Sequence, residues 1–148
     1  MLLAHTAQFG DLEYSPDAVI QFPRGLPGFE HCHRFVFIEQ PALAPVIHLQ
    51  SLESLDICFL ALPVRSIAPD YHLILPPEDA QTLQLPEASH ITSATLCLAL
   101  LSVAENGQAT ANLLAPIVMN VATRIAVQSV RSDAVYSHQH PLNEAAAC

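Results

Sequence analysis

The chain has 148 residues, 51% of them hydrophobic, enough for one domain with a real core and too apolar for a disordered segment. Fourteen acidic residues against five basic ones, every basic one an arginine, give a formal net charge of −9. That balance speaks against a surface that grips phosphate backbones, which needs clustered Lys and Arg, and suits a basic partner instead. Twelve prolines speak against long helices and for short strands joined by turns.

Residues 6–14 have the pattern of a tight hairpin, with Gly10-Asp11 as the turn and Phe9, Leu12 and Tyr14 as its apolar positions. Ser15-Pro16-Asp17 reverses the chain, and 19–22 follows as a short strand. The next stretch, Phe22-Pro-Arg-Gly-Leu-Pro-Gly-Phe-Glu30, holds two prolines and two glycines. Pro23 and Pro27 fix φ, while Gly25 and Gly28 can take positive φ, so the loop is constrained. Leu26 and Phe29 are placed to tack it onto the core. It lacks the GK[ST] of a phosphate loop.

Strands are expected at 35–38, 47–51 and 57–62. The last is apolar throughout and reads as buried on both faces, with 63–67 continuing it along an edge. Pro69-Asp70 turns the chain into 71–75, where Tyr71, Leu73 and Leu75 alternate with His72 and Ile74. Residues 77–83 are predicted as the one helix. Proline opens it, Glu78 and Asp79 fill its first turn, Ala80 and Leu83 follow at a spacing of three, and Pro86 closes it. A long strand spans 91–103 with Leu96, Leu98 and Leu100 on one face, and Glu105-Asn106-Gly107 is a hairpin turn.

Residues 110–130 then read as two or three strands forming the central pair of the sheet. Pro116 interrupts their apolar run, having no N–H for a ladder. Residues 120–123 reverse the chain, Asn120 being suited to left-handed backbone, and Ile125, Val127 and Val130 carry it onward. Residues 143–148 form an Ala-rich tail expected to be disordered, leaving 1–142 as one domain. About ten strands, one short helix and no alternating βα pattern predict a mainly β, single-domain, antiparallel barrel-like fold.

Several stretches, taken together, resemble the family of the flagellar assembly factor FliW. They are Phe9-Gly10, Ile20 through Glu30 with its GLPGFE loop, Leu49-Gln50-Ser51, Pro69-Asp70-Tyr71, Asn112-Leu-Leu-Ala-Pro-Ile-Val-Met-Asn120, Gln128, and Tyr136 followed by His140-Pro141-Leu142. The resemblance runs from Phe9 to Leu142. It implies a non-enzymatic regulator with a small β-barrel-like domain, which binds the RNA-binding translational repressor CsrA, antagonises it, and also binds flagellin. The alternative is a flagellin-binding chaperone without CsrA regulation. A rival from another class is a small metal-dependent or hydrolytic enzyme.

Of the residues that could carry function, Arg24 and Glu30 sit on the constrained loop, where binding residues often lie. Glu53, Asp56, Glu78 and Asp79 are the acids chosen to meet a basic partner. Ile125 and Val127 are chosen as an apolar docking edge. Asn112 and Asn120 read as turn or bulge residues. His31-Cys32-His33 repeats its spacing at His138 and His140, but two distant pairs fall short of a zinc site, so neither metal nor cofactor is expected. Ser51, Ser54 and Ser129 lack a nucleophile elbow, and Cys58 and Cys97 belong to strands where thiols are inert. The four cysteines form no CxxC pair. No stretch approaches the roughly 20 apolar residues of a membrane span, and the N-terminus lacks a charged secretory start. A monomeric cytoplasmic protein that binds no nucleic acid directly is the expectation.

Overall fold

The structure, a computed structural model, describes residues 1–86 and 90–142. Strands β1 (Leu2–Thr6) and β2 (Gly10–Tyr14) form an antiparallel hairpin. Its turn is 7–9, not the expected Gly10-Asp11. Thr6 Oγ1 accepts from Phe9 N–H and donates to Gly10 C=O, and this local side-chain cap moves the reversal earlier. A 3-10 turn at Pro16–Ala18 leads into β3 (Ile20–Gln21). After the proline-glycine loop come β4 (Arg34–Glu39), β5 (Ile47–Ser51) and β6 (Cys58–Pro63).

Beyond Pro63 the chain leaves the sheet. The expected edge continuation is one helical turn, α1 (Val64–Ile67), which buries Val64. Proline at its N-terminal flank offers no ladder donor and suits a helix start. The predicted helix is α2 (Pro77–Thr82), so the described residues hold two short α-helices rather than one. It closes at Leu83, before Pro86: Gln84 adopts positive φ (58°) and Leu85 N–H reaches back to Ala80 C=O at 2.9 Å. Between the helices, 71–75 keeps its alternation without becoming a strand. Tyr71, Leu73 and Leu75 are buried and His72 and Ile74 exposed, but among the described residues its pairing is the Ile74–His90 bridge.

Then follow β7 (Thr95–Val103), β8 (Ala109–Ala111), β9 (Ile117–Asn120), β10 (Ile125–Gln128) and β11 (His140–Pro141). The strands are ordered β7-β6-β5-β4-β3-β10-β9, and β9 pairs back onto β7, closing a seven-stranded barrel. The ladders are antiparallel except β3–β10, which meet in parallel at Gln21 and Ile125. Strands β8 and β11 extend the sheet beside β7.

Two apolar clusters explain which strands are apolar on both faces. Inside the barrel lie Phe22, Phe35, Leu49, Leu98, Ile117 and Met119. Outside it, under α1, α2 and the 71–75 segment, lie Tyr71, Leu75, Leu83, Cys97, Val118 and Val127. Adjacent residues of β7, β9 and β10 therefore serve opposite clusters. Leu96, Leu98 and Leu100 share the barrel face as predicted. The 110–130 stretch is the doubly buried part of the fold, and all four residues of β9 are buried. The same expectation for 57–62 is corrected, since only Ala61 of β6 is fully buried. The tail at 143–148 lies outside the described residues.

Candidate functional site

The 22–30 loop is built by backbone constraints. Leu26-Pro27-Gly28-Phe29 is a tight turn, closed by Phe29 N–H to Leu26 C=O at 2.7 Å, with Gly28 at φ 83°. Proline then glycine at its centre is the signature of a type II turn. Glu30 Oε2 braces it by accepting from Gly28 N–H at 2.9 Å. Gly25 is obligatory for a second reason: at φ 65°, an added Cβ would sit 2.6 Å from the Glu30 carbonyl oxygen. The loop is seated by Leu26, which is buried, and by Phe29, whose ring meets Phe59 edge-on at 5.2 Å.

Beneath the loop lies a second anchor that the sequence does not advertise. Asp79, at the start of α2, is 6% exposed. Its Oδ1 accepts from Arg24 Nη2 at 2.7 Å and its Oδ2 from Ser129 Oγ at 2.6 Å. The far end of the helix is held as well, by Asn120 Nδ2 donating to Leu83 C=O at 2.7 Å. Loop, helix and the β10 end are thus locked by one buried carboxylate. The choice of Asp79 as an acid to meet a basic partner is corrected by this burial. Arg24 pairs with Asp79 while its own side chain stays 46% exposed.

The other chosen residues divide. Glu78 and Asp56 are exposed. Glu53 is exposed too but is used internally, its Oε1 accepting from the N–H groups of His33 and Arg34 at 3.1 and 2.9 Å. Val127 is 2% exposed and Ile125 only half-buried, both packed in the outer cluster. The apolar docking edge is corrected for Val127, because α2 and its neighbours already cover that face. Asn120 acts as the expected turn residue, its Oδ1 accepting from Ala122 N–H at 3.0 Å.

A groove of about 330 Å³ runs beside the loop, lined by Leu26, Phe29, Phe59, Leu100, Val130 and the amides of Asn112 and Gln128 among others. It lies where β6 and β7 part. Their ladder covers only Ala61–Pro63 against Leu98–Leu100, so Phe59 has no β7 partner. Asn112 reads in the sequence as a turn or bulge residue and Gln128 enters only through the family resemblance, and their convergence is a product of the tertiary fold.

His31 and His33 do not act together. His31 Nε2 meets Ser54 Oγ at 3.1 Å, and His33 Nδ1 meets the Phe22 carbonyl at 3.0 Å. Among the described residues no three His, Cys, Asp or Glu side chains gather as a metal site. Burial pushes the Cys97 thiol up to about 12 and raises that of Cys58, so both stay protonated near neutrality. Among the described residues no helix is long and apolar enough to cross a membrane.

The fold and this surface define a class: small closed β-barrels with a rigid proline-glycine loop over a side opening. The model of the family described as FliW protein matches residues 3–142. The flagellar assembly factor FliW of Thermoanaerobacter pseudethanolicus is 33% identical over 141 residues, covering 95% of this chain and 92% of that protein. That of Azoarcus sp. is 37% identical over 131 residues, covering 82% and 86%. A crystal structure of the flagellar assembly factor FliW superimposes with a TM-score of 0.84 at 28% identity, covering 95% of this chain and 96% of that one. The chain belongs to the FliW family.

Proposed function

We propose that this chain is a cytoplasmic, non-enzymatic regulator that binds the RNA-binding repressor CsrA, antagonises it, and binds flagellin, so that flagellin level feeds back on its own translation. One observation carries the CsrA half of this reading: every arginine in the chain is already engaged. Arg24, Arg34 and Arg131 pair with Asp79, Glu53 and Asp133. Arg65 and Arg124 donate to the carbonyls of Tyr71 and Ala18. With no lysine in the sequence and three of the five arginines paired to carboxylates, acids outnumber uncompensated cations at the surface. Such a surface disfavours a polyanion and favours a basic protein that handles one.

Geometry selects the variants for the test. Glu53 and Asp79 hold structure together, so reversing them confounds folding with binding. Asp56→Lys and Glu78→Lys are the clean probes. Each is expected to weaken CsrA binding about threefold at low salt, with the difference shrinking as salt rises. Wild-type affinity in both variants at low salt sinks the electrostatic mechanism.

A further inference from the structure

We propose that the groove beside the 22–30 loop docks a neutral, apolar, extended peptide segment of a partner protein, held through the N–H and C=O of one of its residues by Asn112 and Gln128. The lining is aliphatic and aromatic and carries no charged side chain. Val130, one of the residues lining it, is 57% exposed, an apolar surface left open to solvent.

The two amides say what fits. They flank Ala115 in opposite senses. Asn112 Oδ1 accepts from Ala115 N–H at 2.9 Å, and Gln128 Nε2 donates to Ala115 C=O at 3.0 Å. Each amide therefore has one atom engaged and one left over. Asn112 Nδ2 remains as a donor and Gln128 Oε1 as an acceptor, neither with a partner among the described residues and neither sealed from solvent. A donor and an acceptor drawn to the N–H and C=O of one residue match the C=O and N–H of one residue of an extended segment, which leave the backbone on the same side. The apolar walls then take its flanking side chains, and a charged side chain would lose its hydration there without a counter-ion. The site is distinct from the exposed acids Asp56 and Glu78, and the proposal does not depend on the regulatory reading above.

The test is to pan a random heptapeptide display library against the full chain. Enriched sequences are remade as acetylated, amidated peptides and titrated by fluorescence polarisation. The expected winners are uncharged, with aliphatic or aromatic side chains, and their affinity changes less than about twofold between about 0.05 and 0.5 M salt. Asn112→Asp keeps the acceptor for Ala115 N–H and loses the spare donor. Val130→Arg puts a charge at an exposed position. Each is expected to weaken binding about tenfold while leaving the melting temperature near wild type. If Asn112→Asp fails to fold, Val130→Arg decides alone. Failure to enrich any peptide, a charged consensus, or undiminished affinity in the folded variants overturns the proposal. So does a concentration-dependent dimer abolished by Val130→Arg, which would give the groove to a second copy of the chain.

Discussion

Glu78 and Asp79 stand side by side at the start of one helix, and only the fold distinguishes them. The i-to-i+1 step turns one carboxylate to water and the other onto Ser129 and Arg24, residues 50 and 55 positions away. Asp79→Ala is expected to lower stability by about 1–3 kcal/mol, mostly by orphaning the buried Ser129 hydroxyl, while Glu78→Ala stays within about 0.5 kcal/mol. Urea unfolding of both variants checks this. Gly25→Ala is expected to cost about 2 kcal/mol or more, because positive φ and a backbone collision add. Buried acids that ionise at high pH add a third residue-scale outcome. Burial pushes the Cys97 thiol and the Tyr71 phenol up to about 12. Both ionise more readily in the unfolded chain, so their contribution is complete below the unfolded values. It is lost as pH rises from there, about 9–10, toward 12. Alkaline melts should show that decline, and iodoacetamide at pH 8 should leave Cys97 unlabelled in the folded protein.

Elements were legible where pattern and burial agree. Strand β7 alternates between two apolar clusters, and its predicted face survives intact. The 71–75 segment shows the limit: alternation correctly sorted buried from exposed residues, yet among the described residues it meets a single bridge and not a ladder. The α1 turn was hidden because four residues carry no period. The β1–β2 turn was hidden because a threonine hydroxyl outweighed a glycine signal. The buried carboxylate lock and the groove were hidden for a different reason, since both are assembled from residues far apart in sequence. The β1–β2 hairpin also yields a prediction. It forms its own two-stranded sheet, and its ties to the barrel include one backbone bond, Ala7 N–H to Leu55 C=O, and the Phe9–His48 ring contact. Its amides should exchange with solvent deuterium at least about tenfold faster than those of the doubly buried β9. Equal protection would mean that the hairpin opens only with the whole barrel.

For the whole molecule, the barrel is closed, its arginines are engaged internally, and its excess charge is negative. Those three properties make it a rigid acidic body whose chemistry with other molecules lies at its surface. The exposed acids and the neutral groove are two surfaces of opposite character, and binding is expected to be salt-sensitive at the first and not at the second. The most direct measurement is calorimetric titration of this chain with the CsrA of the same organism, repeated with flagellin monomer present as competitor. Tight binding that weakens with salt and is displaced by flagellin is the predicted result. No heat with CsrA at low salt, in a preparation that binds flagellin, would contradict the regulatory function and leave a flagellin chaperone in its place.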